Sequence, residues 1–156
     1  MSEILAEGKS IEDVIQESGS YASITKGGSM LPLFKTARDV IIITPHTHPL
    51  KKYDVPLYKE GDKYILHRII AVDEEKKIYV IRGDNTFVKE YVPFDKVVGV
   101  LSSFNRKGKS ISVYARGYKL YSRFWVAIYP IRHLLHSLKM LLRRIIKGKK
   151  SDTNIG

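Results

Sequence analysis

The stretch Lys63-Tyr64-Ile65-Leu66-His67-Arg68-Ile69-Ile70-Ala71-Val72-Asp73-Glu74-Glu75-Lys76-Lys77-Ile78-Tyr79-Val80-Ile81-Arg82 decides the fold. Its two halves, 63–72 and 76–82, are rich in β-branched and aromatic residues. Asp73-Glu74-Glu75 supplies the turn of a hairpin between them. Similar runs lie on both sides. Asp39 to Thr44 is apolar and stops at Pro45, and Val97 to Ser102 and Ser110 to Tyr114 follow later. Tyr53 to Tyr58 reads as another strand, with Pro56 placing it at an edge or a bulge. Short strands with close turn signals and no helix between them predict a mainly β, antiparallel body. Before it, residues 10–18 predict a short helix. Ser10 caps it, Asp13 supports its first turn, Ile11, Val14 and Ile15 share one face, and Gly19 follows its end.

From Tyr118 the pattern changes. Ile131, Leu134, Leu135, Leu138, Leu141, Leu142, Ile145 and Ile146 recur at helical spacing, with Arg132, His133, His136, Lys139, Arg143, Arg144 and Lys147 mostly opposite. Pro130 divides this amphipathic stretch from an aromatic one that holds Tyr118, Tyr121, Phe124, Trp125 and Tyr129. The sequence therefore divides into a β domain with its N-terminal helix, 1–115, and a basic amphipathic helical extension, 116–156, whose end from 148 reads as disordered.

With 156 residues, one domain and an appendage are expected, and there is no cysteine for a disulfide or thiolate metal site. The charge is uneven. Residues 1–95 carry 13 Lys/Arg against 15 Asp/Glu, whereas residues 96–156 carry 14 Lys/Arg against Asp152 alone. A cationic tail on a near-neutral body calls for an anionic partner. The longest uncharged apolar run, Phe124 to Ile131, is far short of the roughly 20 residues of a membrane span. Met1 to Gly8 lacks the basic start and apolar core of a signal peptide.

Three further blocks carry chemistry. Gly27-Gly28-Ser29-Met30-Leu31-Pro32 puts a serine on a glycine-softened turn, Leu66-His67-Arg68 puts a histidine in an apolar run, and Gly83-Asp84-Asn85 is followed by Glu90. A serine hydroxyl needs a base to take its proton and N–H groups aimed at the oxygen that becomes negative. A neutral imidazole is a competent base near pH 7. A carboxylate behind the imidazole fixes its tautomer and stabilises the imidazolium.

The order and spacing of these blocks resemble the signal peptidase I and LexA-like superfamily of serine peptidases. The match covers roughly residues 20–104. Gly27, Ser29, Met30 and Pro32 fit the family's serine motif, Asp39 its following strand entry, and Val97 to Val100 its closing strand. His67 before Arg68 resembles the Ser–His branch, where other members use lysine. The resemblance implies a signal-peptidase-like β body, Ser29 as nucleophile and His67 as general base. Glu90 stands at the offset of the orienting carboxylate, with Asp84 as the alternative. Gly27 occupies a place where many relatives have a serine donor, so an oxyanion site here would use backbone N–H groups around Gly27, Gly28 and Met30. The activity implied is a serine endopeptidase acting on peptide or protein precursors, with small residues near the cut and no cofactor.

The extension suits an anionic membrane surface, through Trp125 at headgroup level and Arg132, Lys139, Arg143 and Arg144 as cations. Packing of its stripe on the β body or on a second subunit is the competing reading. Nucleic acid is disfavoured, because none of the usual motifs is present and the apolar stripe is too continuous. His46-Thr47-His48 has no third-ligand pattern, so no metal is expected. Lys26, Lys51 and Lys63 are not on the strand just before Arg68, so none is the expected base. These features together predict a cytoplasmic enzyme, peripheral at the inner membrane face. The alternative is a catalytically inactive peptidase-fold adaptor that binds anionic membrane or nucleic acid. The oligomeric state is not readable.

Overall fold

The computed structural model of the chain describes residues 9–47 and 49–152. The N-terminal stretch inspected for a targeting signal, His48 and the last four residues lie outside them. The chain is mainly β and its sheets are antiparallel, with a short N-terminal helix and two C-terminal helices, as the sequence predicts. Among the described residues no helix is long and apolar enough to cross a membrane.

Helix α1 (Ile11–Ser18) starts where Ser10 accepts from Asp13 N–H while the Asp13 carboxylate accepts from Ser10 N–H, and it stops at Gly19 in the left-handed region. Its buried face, Ile11 and Ile15, packs on the first sheet. That sheet contains β1 (Tyr21–Ile24), β2 (Val40–Thr44), β3 (Pro56–Glu60), β4 (Lys63–Leu66), β8 (Val97–Arg106) and β9 (Lys109–Ser112). The order is β1-β2-β8-β3-β4, and β9 pairs with the far half of β8. The second sheet is β5 (Arg68–Asp73), β6 (Ile78–Arg82) and β7 (Glu90–Pro93), in that order. Each sheet has its own core. Ile41, Ile43, Leu57, Leu101 and Phe104 fill the first, and Ile69, Tyr79, Ile81 and Val92 the second. Gly99 on β8 lets the first core close. A Cβ there would stand 2.7 Å from Ile43 Cγ2 and 2.9 Å from the Thr44 carbonyl oxygen, so a side chain would force β2 to shift.

One expectation changes and another narrows. Lys63 to Val72 is not one strand. It breaks at His67, and β4 and β5 belong to different sheets. Of the two places expected for Pro56, an edge or a bulge, the edge is not taken, since β3 lies between β8 and β4, and the bulge is matched by an irregularity in the β3–β8 pairing. The proline is tolerated as the first residue of the strand, and the register shifts one step later, between Leu57 and Tyr58.

The extension also differs from its expected bounds. Helix α2 (Arg116–Ala127) begins it, and α3 (Tyr129–Asp152) follows. Tyr118 and Ser122 are buried, so the first compact unit runs to Arg123 rather than to residue 115, and the second is 124–156. Pro130 sits in the first turn of α3, where its missing N–H costs nothing. Residues 148–152 are helical where the sequence reads as disordered.

Asp39 anchors the loop ahead of β2. Its side chain is fully buried and accepts from Arg38 Nε at 2.6 Å, Arg38 Nη2 at 2.7 Å and Lys35 N–H at 3.0 Å. Burial pushes its carboxyl up, but the Arg38 guanidinium and the Lys35 N–H outweigh this and hold it below the usual carboxylate range. A folded-state pKa below the unfolded one gives stability that is present above the unfolded value and is lost as pH falls through the folded one. We therefore expect Asp39→Asn to cost about 1.5–3 kcal/mol at pH 7. The gap to wild type should close below roughly pH 4, and urea unfolding across that range measures it.

Candidate active site

His67 stands at the joint where the chain leaves the first sheet and enters the second. That position buries it, at 7% exposure. Nδ1 lies 3.1 Å from Glu90 Oε2. Glu90 is the first residue of β7 and pairs with Ile81, and this register carries its carboxylate to the ring. A carboxylate only accepts, so Nδ1 carries the proton and Nε2 keeps the lone pair. Nε2 is left without a hydrogen bond among the described residues.

Nε2 faces the serine turn. A Cβ built on Gly83 would stand 3.0 Å from His67 Nε2 and 2.7 Å from the Ser29 carbonyl oxygen. Ser29 and His67 therefore meet across one Cα, and only glycine at 83 leaves them that space. The turn after β6 clamps the loop that carries Ser29. Asn85 N–H donates to Ser29 O at 2.7 Å, Asn85 Nδ2 donates to Gly28 O at 3.2 Å, and Asp84 N–H lies 3.5 Å from Met30 Sδ. Gly27, with φ at +77°, opens the loop, and the Met30 side chain is buried in the first core. Ser29 is half-buried, and its hydroxyl bonds to no described residue. Nor do the N–H groups of Ser29 and Met30. The Ser29 backbone and His67 Nε2 thus approach the same glycine, and an unbonded hydroxyl, an unbonded imidazole nitrogen and two unbonded N–H groups are the parts that attack on a carbonyl requires.

Asp84, the alternative orienting carboxylate, does not bond to His67. It is turned to Arg68, which it holds in a bidentate pair, with Nε to Oδ1 at 2.7 Å and Nη2 to Oδ2 at 2.8 Å. Arg68 is fully buried. Its Nη1 donates to Tyr53 O at 3.0 Å and to Ser122 Oγ at 2.9 Å, and Tyr121 OH donates to Asp84 Oδ2 at 3.1 Å. Burial opposes the Arg68 charge, yet the paired carboxylate more than offsets it and raises the guanidinium above its ordinary value. The pair is structural: it fixes the residue after His67 to the residue after Gly83, and both to α2.

Tyr58 is a member of the site that the sequence reading missed. Buried on β3, it donates its hydroxyl to Glu90 Oε2, and its oxygen lies 3.4 Å from His67 Nδ1. Burial and the adjacent Glu90 push its phenol upward, so it stays a donor through the alkaline range. No sequence signal marks it, because β3 meets β7 only through the fold. Tyr58→Phe keeps the ring and removes this donor. If His67 is the base, kcat should fall about tenfold. Stability should change little, because the partly exposed Glu90 rehydrates. Paired kcat and urea measurements separate the two.

A cleft of about 190 Å³ opens beside Ser29, between Gly27 and Met30 on one side and Tyr64 to Leu66 of β4 on the other. Phe34 and Ile41 also line it. Of the paired histidines, His46 lines a separate polar cleft beside α1, and His48 is outside the described residues. Trp125 is half-buried with the Arg132 guanidinium 4.0 Å from its ring centroid. No protein-family model matches this chain, and no curated protein sequence does either.

Proposed function

We propose that the protein is a serine endopeptidase of signal-peptidase-like type that processes peptide or protein precursors. The observation that carries this reading is the convergence of Ser29, His67 and Glu90, with Nε2 and the Ser29 backbone against the same glycine. Ser29 Oγ attacks the scissile carbonyl while its proton passes to His67 Nε2. Ser29 and Met30 N–H groups receive the developing oxyanion, and Glu90 stabilises the imidazolium. His67 then protonates the leaving amine as the C–N bond breaks. Water repeats the sequence on the acyl-enzyme and frees Ser29.

The sheet edge supports a peptide substrate. β4 pairs only with β3 among the described strands, and its last residue directly precedes His67. An extended peptide added along that edge runs into the cleft at Ser29. The small apolar cleft suits a small side chain next to the cut.

The test is labelling by a serine-directed acylating probe at pH 7–8, in wild type and in Ser29→Ala and His67→Ala. Labelling of wild type alone supports the peptidase. No labelling of folded wild type favours the second reading, a peptidase-fold adaptor without activity, which the absence of a Ser29–His67 hydrogen bond keeps in play.

A further inference from the structure

The second compact unit, taken by itself, carries a surface that the catalytic reading does not use. On α3, Ile131, Leu134, Leu135, Leu138, Leu141 and Leu142 are 48–62% exposed. At about 100° per residue these six fall in one arc of roughly 120°. Arg132, Lys139 and Arg143 follow along one border of that arc, where long cationic side chains reach outward while their stems cover apolar surface.

Charge decides what covers the stripe. Between Phe124 and Ser151 there are seven Lys/Arg and no Asp/Glu. Two copies of α3 meeting stripe to stripe would set seven cations against seven, with the terminal Asp152 of each copy as the single acid to pair them. A nucleic acid would answer the cations but leave six large aliphatic side chains in water. An anionic bilayer surface answers both, since acyl chains take the stripe and headgroups take the cations. The Trp125–Arg132 pair has the same amphipathic character that suits the headgroup level.

We propose that α3 is an interfacial helix that docks the protein on anionic lipid surfaces. This stands apart from the chemistry at Ser29. The test uses the full chain and its single tryptophan, Trp125, as reporter. The chain is titrated with phosphatidylcholine vesicles, with and without phosphatidylglycerol, by fluorescence and co-sedimentation. Wild type should show a blue shift and bind the anionic vesicles at least about tenfold more tightly, an advantage that shrinks as salt rises. Lys139→Gln/Arg143→Gln/Arg144→Gln, which keeps strong helix formers, should lose at least about tenfold in affinity. Leu134→Gln/Leu138→Gln/Leu141→Gln should lose binding at every salt concentration. Three results overturn the proposal: no vesicle binding by wild type, undiminished binding by the leucine variant, or concentration-dependent self-association that the leucine variant abolishes.

Discussion

Ser29→Ala and His67→Ala are each expected to lower kcat for peptide cleavage by about three to six orders of magnitude, with KM little changed. The two losses should not add. Once the hydroxyl is gone the imidazole has no proton to take, and without the imidazole the hydroxyl stays a poor nucleophile. The double variant should therefore match either single variant. Ser29→Ala should leave the fold undisturbed, since Ser29 Oγ holds nothing, whereas His67→Ala empties a buried place and takes a partner from Glu90, so its stability is measured alongside by urea unfolding. The measurement is single-turnover cleavage of a peptide library at pH 7–8, followed by mass spectrometry. Additive losses, or cleavage undiminished in Ser29→Ala, would remove Ser29 and His67 from the chemistry.

The local parts of this arrangement were legible in the sequence and the non-local parts were not. Ser10 and Asp13 declare the start of α1 because a capping box lies within four residues. The hairpin of β5 and β6 is legible because both strands and their turn are contiguous. The change of sheet at His67 is not, because Leu66 and Arg68 look like neighbours on one strand until their partners are known, Leu57 for one and Arg82 for the other. The same holds for the choice between Glu90 and Asp84. Sequence offset leaves both open, and strand register brings Glu90, opposite Ile81, to the ring while Asp84 is held by Arg68. Tyr118 and Ser122 looked like part of the extension because their helix is continuous with an exposed one, yet Arg68 draws both hydroxyls into the body. One clue was available: an arginine in an apolar run demands a buried partner.

Arg68→Met is the substitution expected to cost most in stability, about 3–5 kcal/mol. The methionine fills much of the volume, so the loss is electrostatic rather than a cavity. Asp84, only 4% exposed, loses the guanidinium that pairs it at both oxygens, with Tyr121 OH among the partners that remain. The Tyr53 carbonyl and the Tyr118 and Ser122 hydroxyls lose their donor as well. Tyr121→Phe removes one hydrogen bond from the same cluster and should cost only about 1 kcal/mol. The contrast separates the ion pair from its surroundings. Replacing both charges, as in Arg68→Met/Asp84→Leu, should recover a large part of the loss, because no uncompensated charge is then buried. Activity should not recover with it. Arg68 follows His67 and Asp84 follows Gly83, so the pair sets the spacing between Nε2 and the Ser29 turn, and an apolar pair of different length will not hold it. Urea midpoints with kcat on the same samples read both effects. Hydrogen exchange at α2 adds a third readout, since Arg68 is what ties Tyr118 and Ser122 down. A loss below about 1 kcal/mol in Arg68→Met, or restored turnover in the double variant, would mean that the pair neither holds this fold together nor sets the geometry at Ser29.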